Sequence, residues 1–243
     1  MTRYLISAAA ITFCISWTPA AASDCLLDTN VNGFPDDLDT DGGADSDIEA
    51  ESLACGVDAS ADNQSIALGH DAFALNQSVA LGYETSTRGF RSVAIGHSAS
   101  NVNDGNGTYD SVALGANSIT AGPQSVPIGA EARAGQQESY LNVAIGYRAV
   151  AGLIGRNQIA LGANANAHTT GSIAIGADAN ADEFAAIALG ERSAATANYT
   201  LALGHSATAS AGRAIAIGRN SVASAFFLRR QSTGKLWEIF RLR

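Results

Sequence analysis

One short phrase returns eleven times along this chain and ends each time on glycine, at Gly69, Gly82, Gly96, Gly115, Gly129, Gly146, Gly162, Gly176, Gly190, Gly204 and Gly218. The gaps between successive glycines are 13, 14, 19, 14, 17 and 16, and then 14 four times. Self-similarity at a fixed short period is the mark of a solenoid and outranks local propensity. The residue before each glycine is Leu or Ile, and the residue three before it is Val, Ile or Leu. Between them stands Ala in ten copies, with Pro127 in the other. Large apolar residues two apart read as period two, a strand with unlike faces rather than a helix.

Three residues after each glycine comes Ala, Ser or Thr, and five after it Ala or Thr, except at Asn101. This is a second, shorter period-two stretch. Each coil of about 14 residues therefore holds two strands and two turns, with the glycine taking the backbone angles of the first turn. A coil cannot satisfy its own edges, so its backbone N–H and C=O groups must pair with the coils above and below. The longer gaps, such as "SASNVNDGNGTYD" at 98–110, are read as loops extruded from a turn. Pro127 removes one ladder donor and marks a local defect.

Composition agrees with thin, regular layers. Of the 243 residues 47% are apolar, yet only 7% are aromatic and 25 are glycine, so the apolar share is mostly small or aliphatic. One strand face fills the roll, and the other is left apolar at the surface. An exposed stripe of that kind implies a partner, and a further copy of the chain in closed symmetry is the simplest one. Spacing alone does not choose between two copies and three.

The phrases "SVALG", "SVAIG" and "SIAIG", with their small-residue second halves, resemble the head repeats of trimeric autotransporter adhesins, the YadA-like head, over about residues 63–223. The resemblance implies an all-β, left-handed parallel β-roll of about eleven coils, a homotrimer, and attachment to an unnamed surface or matrix ligand at the cell exterior. The family's heptad stalk and membrane-barrel strands are not seen after the repeats. The tail, residues 224–243, reads as strand, turn and strand, with a weak similarity to hairpins of tail-fibre-like proteins.

The net charge of -9 hides an uneven distribution. Residues 24–62 hold twelve acids and no Lys or Arg, while residues 63–243 are nearly neutral. A nucleic-acid partner has little electrostatic support on such a chain. Within the acidic segment Asp28, Asn30, Asn32, Gly33, Asp36 and Asp39 fall at positions 1, 3, 5, 6, 9 and 12 of a loop. Alternate oxygen side chains before a glycine turn suit a hard cation such as Ca2+. A second frame starts at Asp37, with Asp39, Asp41, Gly42 and Asp45, and its last ligand is open because Ile48 stands at position 12. The stretch resembles thrombospondin type 3 repeats, in which calcium loops follow one another without helices and are often braced by disulfides. A solvated acidic linker is the alternative.

Residues 1–23 read as a secretory signal: Arg3, an apolar run shorter than the roughly 20 residues that span a bilayer, then small residues up to Ser23. No membrane-spanning segment is expected in the mature chain. Export permits disulfides, and Cys25 and Cys55 bracket the acidic segment, so they form either a bridge or two free thiols. The chain is not read as an enzyme. His70, His97 and His205 each follow a repeat glycine but are too far apart to share a metal, and no Ser, His and acid recur at triad spacing. A structural spacer remains an alternative, and so does a hexapeptide-repeat acyltransferase, although that fold needs an aliphatic residue at every sixth position.

Overall fold

The computed structural model describes residues 23–24, 44–46, 51–102, 109–136, 139–152 and 154–224. Every element in them is a strand. Twenty-six short strands form two 13-stranded parallel sheets, in which each strand lies beside its counterparts one coil before and one coil after. Strands of three residues, such as Ile173–Ile175, build one sheet after a first strand of two, Ser23–Asp24, and strands of two residues, such as Asn180–Ala181, build the other. At roughly 4.8 Å per rung, thirteen rungs make a rod about 60 Å long.

The register shows why the phrase must repeat. Ile159, Ala160 and Leu161 lie opposite Ile173, Ala174 and Ile175, which in turn face Ile187, Ala188 and Leu189. Like sits on like, and each repeat glycine donates its N–H to the residue before the preceding glycine, as Gly176 does to the Leu161 carbonyl at 2.8 Å. The glycine itself is forced. Gly176 has φ +131, and a Cβ there would lie 2.6 Å from the Gly190 carbonyl, a contact that no other residue type escapes.

Small residues point inward. The middle alanines Ala67, Ala80, Ala94, Ala113, Ala160 and Ala174 have no exposed surface. The residues three and five after each glycine up to Gly204 are buried with them, for example Ala179 and Ala181, and those after Gly218, at the end of the roll, are half-buried. The branched residues on either side of the middle alanine point outward and stay half-buried or exposed along the whole three-residue sheet. Two sheets this close leave room between them for a methyl or a hydroxyl, which is why alanine, serine and threonine fill the inside.

The roll also extends further than the eleven glycines indicate. Leu53–Cys55 and Ser60–Ala61 form a full coil around Gly56, and Ser23–Asp24 and Asp45–Ser46 add a rung before it. The solenoid thus starts before residue 63. Cys55, standing where other coils have Leu or Ile, hides this copy in the sequence.

The longer coils keep register in both sheets. Ile95 faces Leu114 and Asn101 faces Thr120, so the extra residues of that coil lie between the short strand and the next long one. Pro127 has the expected effect. On the side toward Val112–Leu114 only Leu114 and Ile128 remain paired, whereas toward Val143–Ile145 all three pairs persist. A proline has no N–H to give the preceding strand.

Candidate binding surfaces

A roll of this kind offers four long surfaces: two sheet faces and two turn edges. The outer face of the three-residue strands is aliphatic from Ile66 to Ile217, with two columns of Val, Ile and Leu, and Leu53 and Cys55 extend it by one coil. Ile66, Leu81, Ile95, Ile145, Ile175 and Leu203 each keep close to two fifths of their surface accessible. The outer face of the two-residue strands is mixed, carrying Ser86, Ser100, Arg133, Asn166, Asn180 and Thr208. Only the first face is a continuous apolar stripe of the kind that marks an association surface.

The turn after each repeat glycine stacks side chains coil upon coil. His70, Tyr83 and His97 form a ring stack, with centroids 5.0 and 5.1 Å apart and planes within 20°. His70 Nδ1 lies 2.7 Å from Asp71 Oδ2, and Ser98 Oγ donates to Glu84 Oε2 at 3.2 Å. The charge of Glu84 and its hydrogen bond, with smaller effects of desolvation and the Asp71 charge, hold the Tyr83 phenol above its usual 10.0. Further along, Arg148 Nε donates to Glu131 Oε2 at 2.6 Å and the guanidinium lies over the Tyr147 ring. The hydrogen bond and charge of Glu131 raise the Arg148 pKa further.

The opposite turn edge carries most of the exposed aromatic residues. Phe90 and Tyr109 bridge one coil pair, and Tyr140 and Arg156 another, where Arg156 also donates to the Tyr140 hydroxyl. Phe184 and Tyr199 meet edge to face at 5.3 Å. The sequence reading missed both the ring stack and this aromatic edge, because each ring stands in a different copy of the phrase. Writing the copies one above another would have revealed them: the place after the glycine reads Val57, His70, Tyr83, His97 in four successive coils.

Of the residues proposed for calcium, Asp28, Asn30, Asn32, Asp36, Asp37, Asp39 and Asp41 lie outside the described residues, as does Cys25. Asp45 is described; it is exposed and pairs with Ser60 in the two-residue sheet. Cys55 is disulfide-bonded, and its partner lies outside the described residues. Among the described residues no three His, Cys, Asp or Glu side chains converge as a metal would require. No helix among them is long and apolar enough to cross a membrane. The signal reading of residues 1–23 and the hairpin reading of the tail fall almost wholly outside the described residues.

The family model of the YadA head domain repeat, which spans two copies, matches residues 76–99, 109–132, 155–179, 184–207 and 195–221. Over those stretches the roll is similar to YadA head domain repeats. In the matched stretches, as in unmatched coils such as Ile66–Leu68 and Val143–Ile145, aliphatic residues face out and small residues fill the inside. A comparison with curated proteins gives no match.

Proposed function

We propose that this chain is the head of a surface-exposed, trimeric, adhesin-like protein, and that it works by binding rather than by turnover. One observation supports this most: a roll similar to YadA head domain repeats leaves an entire sheet face aliphatic. That face is too long and too uniform for a monomer in water, and a parallel bundle of three copies covers it with identical partners. The turn edges and the mixed sheet face then remain for ligands. Three copies of each surface convert weak contacts into avid attachment.

Light scattering of the exported chain tests the assembly, with a mass of three chains expected. Beads coated with that trimer should attach to cells or to immobilised matrix protein, and bare beads should not. A well-folded monomer, or a trimer that attaches to no surface offered, would defeat the reading. The acyltransferase alternative requires aliphatic residues at a six-residue spacing, whereas these coils repeat at 13 or more and turn alanine inward. Acyl-CoA turnover by the purified chain would favour it.

A further inference from the structure

On the turn edge near the end of the described roll, Glu183, Thr196, Asn198, Tyr199 and Arg213 line a shallow groove of about 550 Å³. We propose that this groove is a subsite for a neutral sugar ring, in which Tyr199 provides the stacking surface and Glu183, Asn198 and Arg213 hold the hydroxyls. The proposal rests on the binding function argued above and names a ligand class for it.

Tyr199 is the first argument. It has φ +59 and is the one aromatic among the described non-glycine residues with positive φ. That region is unfavourable for a bulky side chain. The same turn position in the preceding coils holds Asn157, Gly171 and Ala185, so the turn does not need a ring. The angle belongs to the turn, since Arg91, Leu141 and Arg213 hold the same place at φ +51, +60 and +64, so what this copy adds is the ring itself. The ring is also positioned for one: 56% of Tyr199 is exposed, and Phe184 supports it at 73° between planes.

The polar groups are the second argument. Asn198 Oδ1 accepts from the Phe184 N–H at 3.1 Å, which fixes the amide, and its Nδ2 hydrogens have no partner among the described residues. Among the described residues the side chains of Glu183 and Arg213 have no ion-pair or hydrogen-bond partner. A carboxylate that only accepts, with an amide and a guanidinium that donate, complements hydroxyl groups that do both. Opposite charges in one groove disfavour a strong anion, which Glu183 repels, and a strong cation, which Arg213 repels. An extended peptide would need a free strand edge, and here the edges are paired coil to coil, as between Leu201–Leu203 and its neighbours. A pyranose has an apolar C–H face for the ring and hydroxyls for the rim, and a groove of this volume suits one or two sugar units.

The test is saturation-transfer NMR on the purified, assembled chain with methyl β-galactoside, methyl α-mannoside and the methyl glycoside of N-acetylglucosamine. At least one sugar should receive saturation, strongest at the protons of one ring face. Tyr199→Ala should reduce it at least about fivefold, the equivalent of one stacking contact, and Arg213→Gln should also weaken it. Tyr83→Ala, on the other turn edge, should leave it unchanged. Ala185 already occupies the Tyr199 position, so the fold tolerates that variant, and its melting curve verifies this. No saturation of any of the sugars, or equal saturation with Tyr199→Ala, overturns the proposal. Beads coated with Tyr199→Ala that attach as well as the parent would remove the groove from adhesion while leaving the adhesive function intact.

Discussion

At the scale of single residues, two glycines five positions apart show how differently the turns constrain their occupants. Gly176 combines φ +131 with a Cβ site 2.6 Å from the next coil's backbone, so Gly176→Ala must strain the turn and push two coils apart. Gly171 has φ +71, and its Cβ site meets only the Ala185 Cα at 3.9 Å. Ala185 adopts the same left-handed turn with φ +52. Gly176→Ala is therefore expected to cost about 3 kcal/mol or more, and Gly171→Ala to stay within about 1 kcal/mol of the parent, the left-handed strain being offset by a less flexible unfolded chain. Urea unfolding of both variants followed by circular dichroism checks the contrast. Asn101 is the opposite case, a residue that departs from the pattern. It is buried between Thr87 and Thr120, in a place that is otherwise Ala, Ser or Thr, and neither its Oδ1 nor its Nδ2 has a hydrogen-bond partner among the described residues. Its sequence position revealed the departure, while its lack of partners is visible only in three dimensions.

Among elements, the strands were the most legible part of the chain, because a period of two with unlike faces has one reading once eleven copies agree. Which face went inside was less plain. Branched aliphatic residues ordinarily seek the core, but the gap between these sheets is filled mostly by Ala, Ser and Thr, and sheet spacing is not written in any single strand. The coil at Leu53–Cys55 was lost for a chemical reason, since a cysteine replaces the aliphatic residue before Gly56. That cysteine now carries two predictions. Asp24 lies opposite Ala54 in a parallel pair, and the next residue in each strand's sequence is a cysteine. Neighbours in adjacent parallel strands stand within the Cα range of a disulfide. Peptide mapping of the unreduced chain is expected to give a Cys25 to Cys55 crosslink, and a free Cys25 thiol would contradict it. We further propose that the loop so closed binds calcium through the frame from Asp28 to Asp39, because its nine acids with no base repel one another until a divalent ion joins them. Calorimetric titration of the metal-free, oxidised full chain should show binding by millimolar calcium, reduced by Asp28→Ala and Asp39→Ala. Chelation should leave the melting of the roll unchanged, since stacked coils hold themselves together. Absence of heat would return the segment to a solvated linker.

For the molecule as a whole, the decisive asymmetry lies between the two sheets. Both are parallel and both have 13 strands, yet one turns an almost unbroken run of Val, Ile and Leu to the outside, whereas the other mixes Ser, Asn, Arg and Thr with Phe73, Ile119, Val150, Ala194 and Val222. Nothing inside the single roll requires this difference, because outward residues do not touch the alanine interior. It is explained if the aliphatic sheet is covered in the assembled protein and the mixed sheet stays in water. A charge on each sheet separates folding from association. Ile175 faces outward with 39% of its surface exposed in the single chain, so Ile175→Glu leaves the roll's interior intact. In a trimer the same carboxylate is desolvated with no partner, repeated once per chain around the symmetry axis, at a cost of several kcal/mol for each. Thr208→Glu places an equal charge on the mixed sheet, where water remains. Sedimentation velocity is expected to show Ile175→Glu shifted toward monomer at micromolar concentration and Thr208→Glu unchanged from the parent, with matching circular dichroism spectra for all three. If Ile175→Glu sediments as the parent does, the aliphatic sheet is not the seam between chains, and its uniformity has another cause.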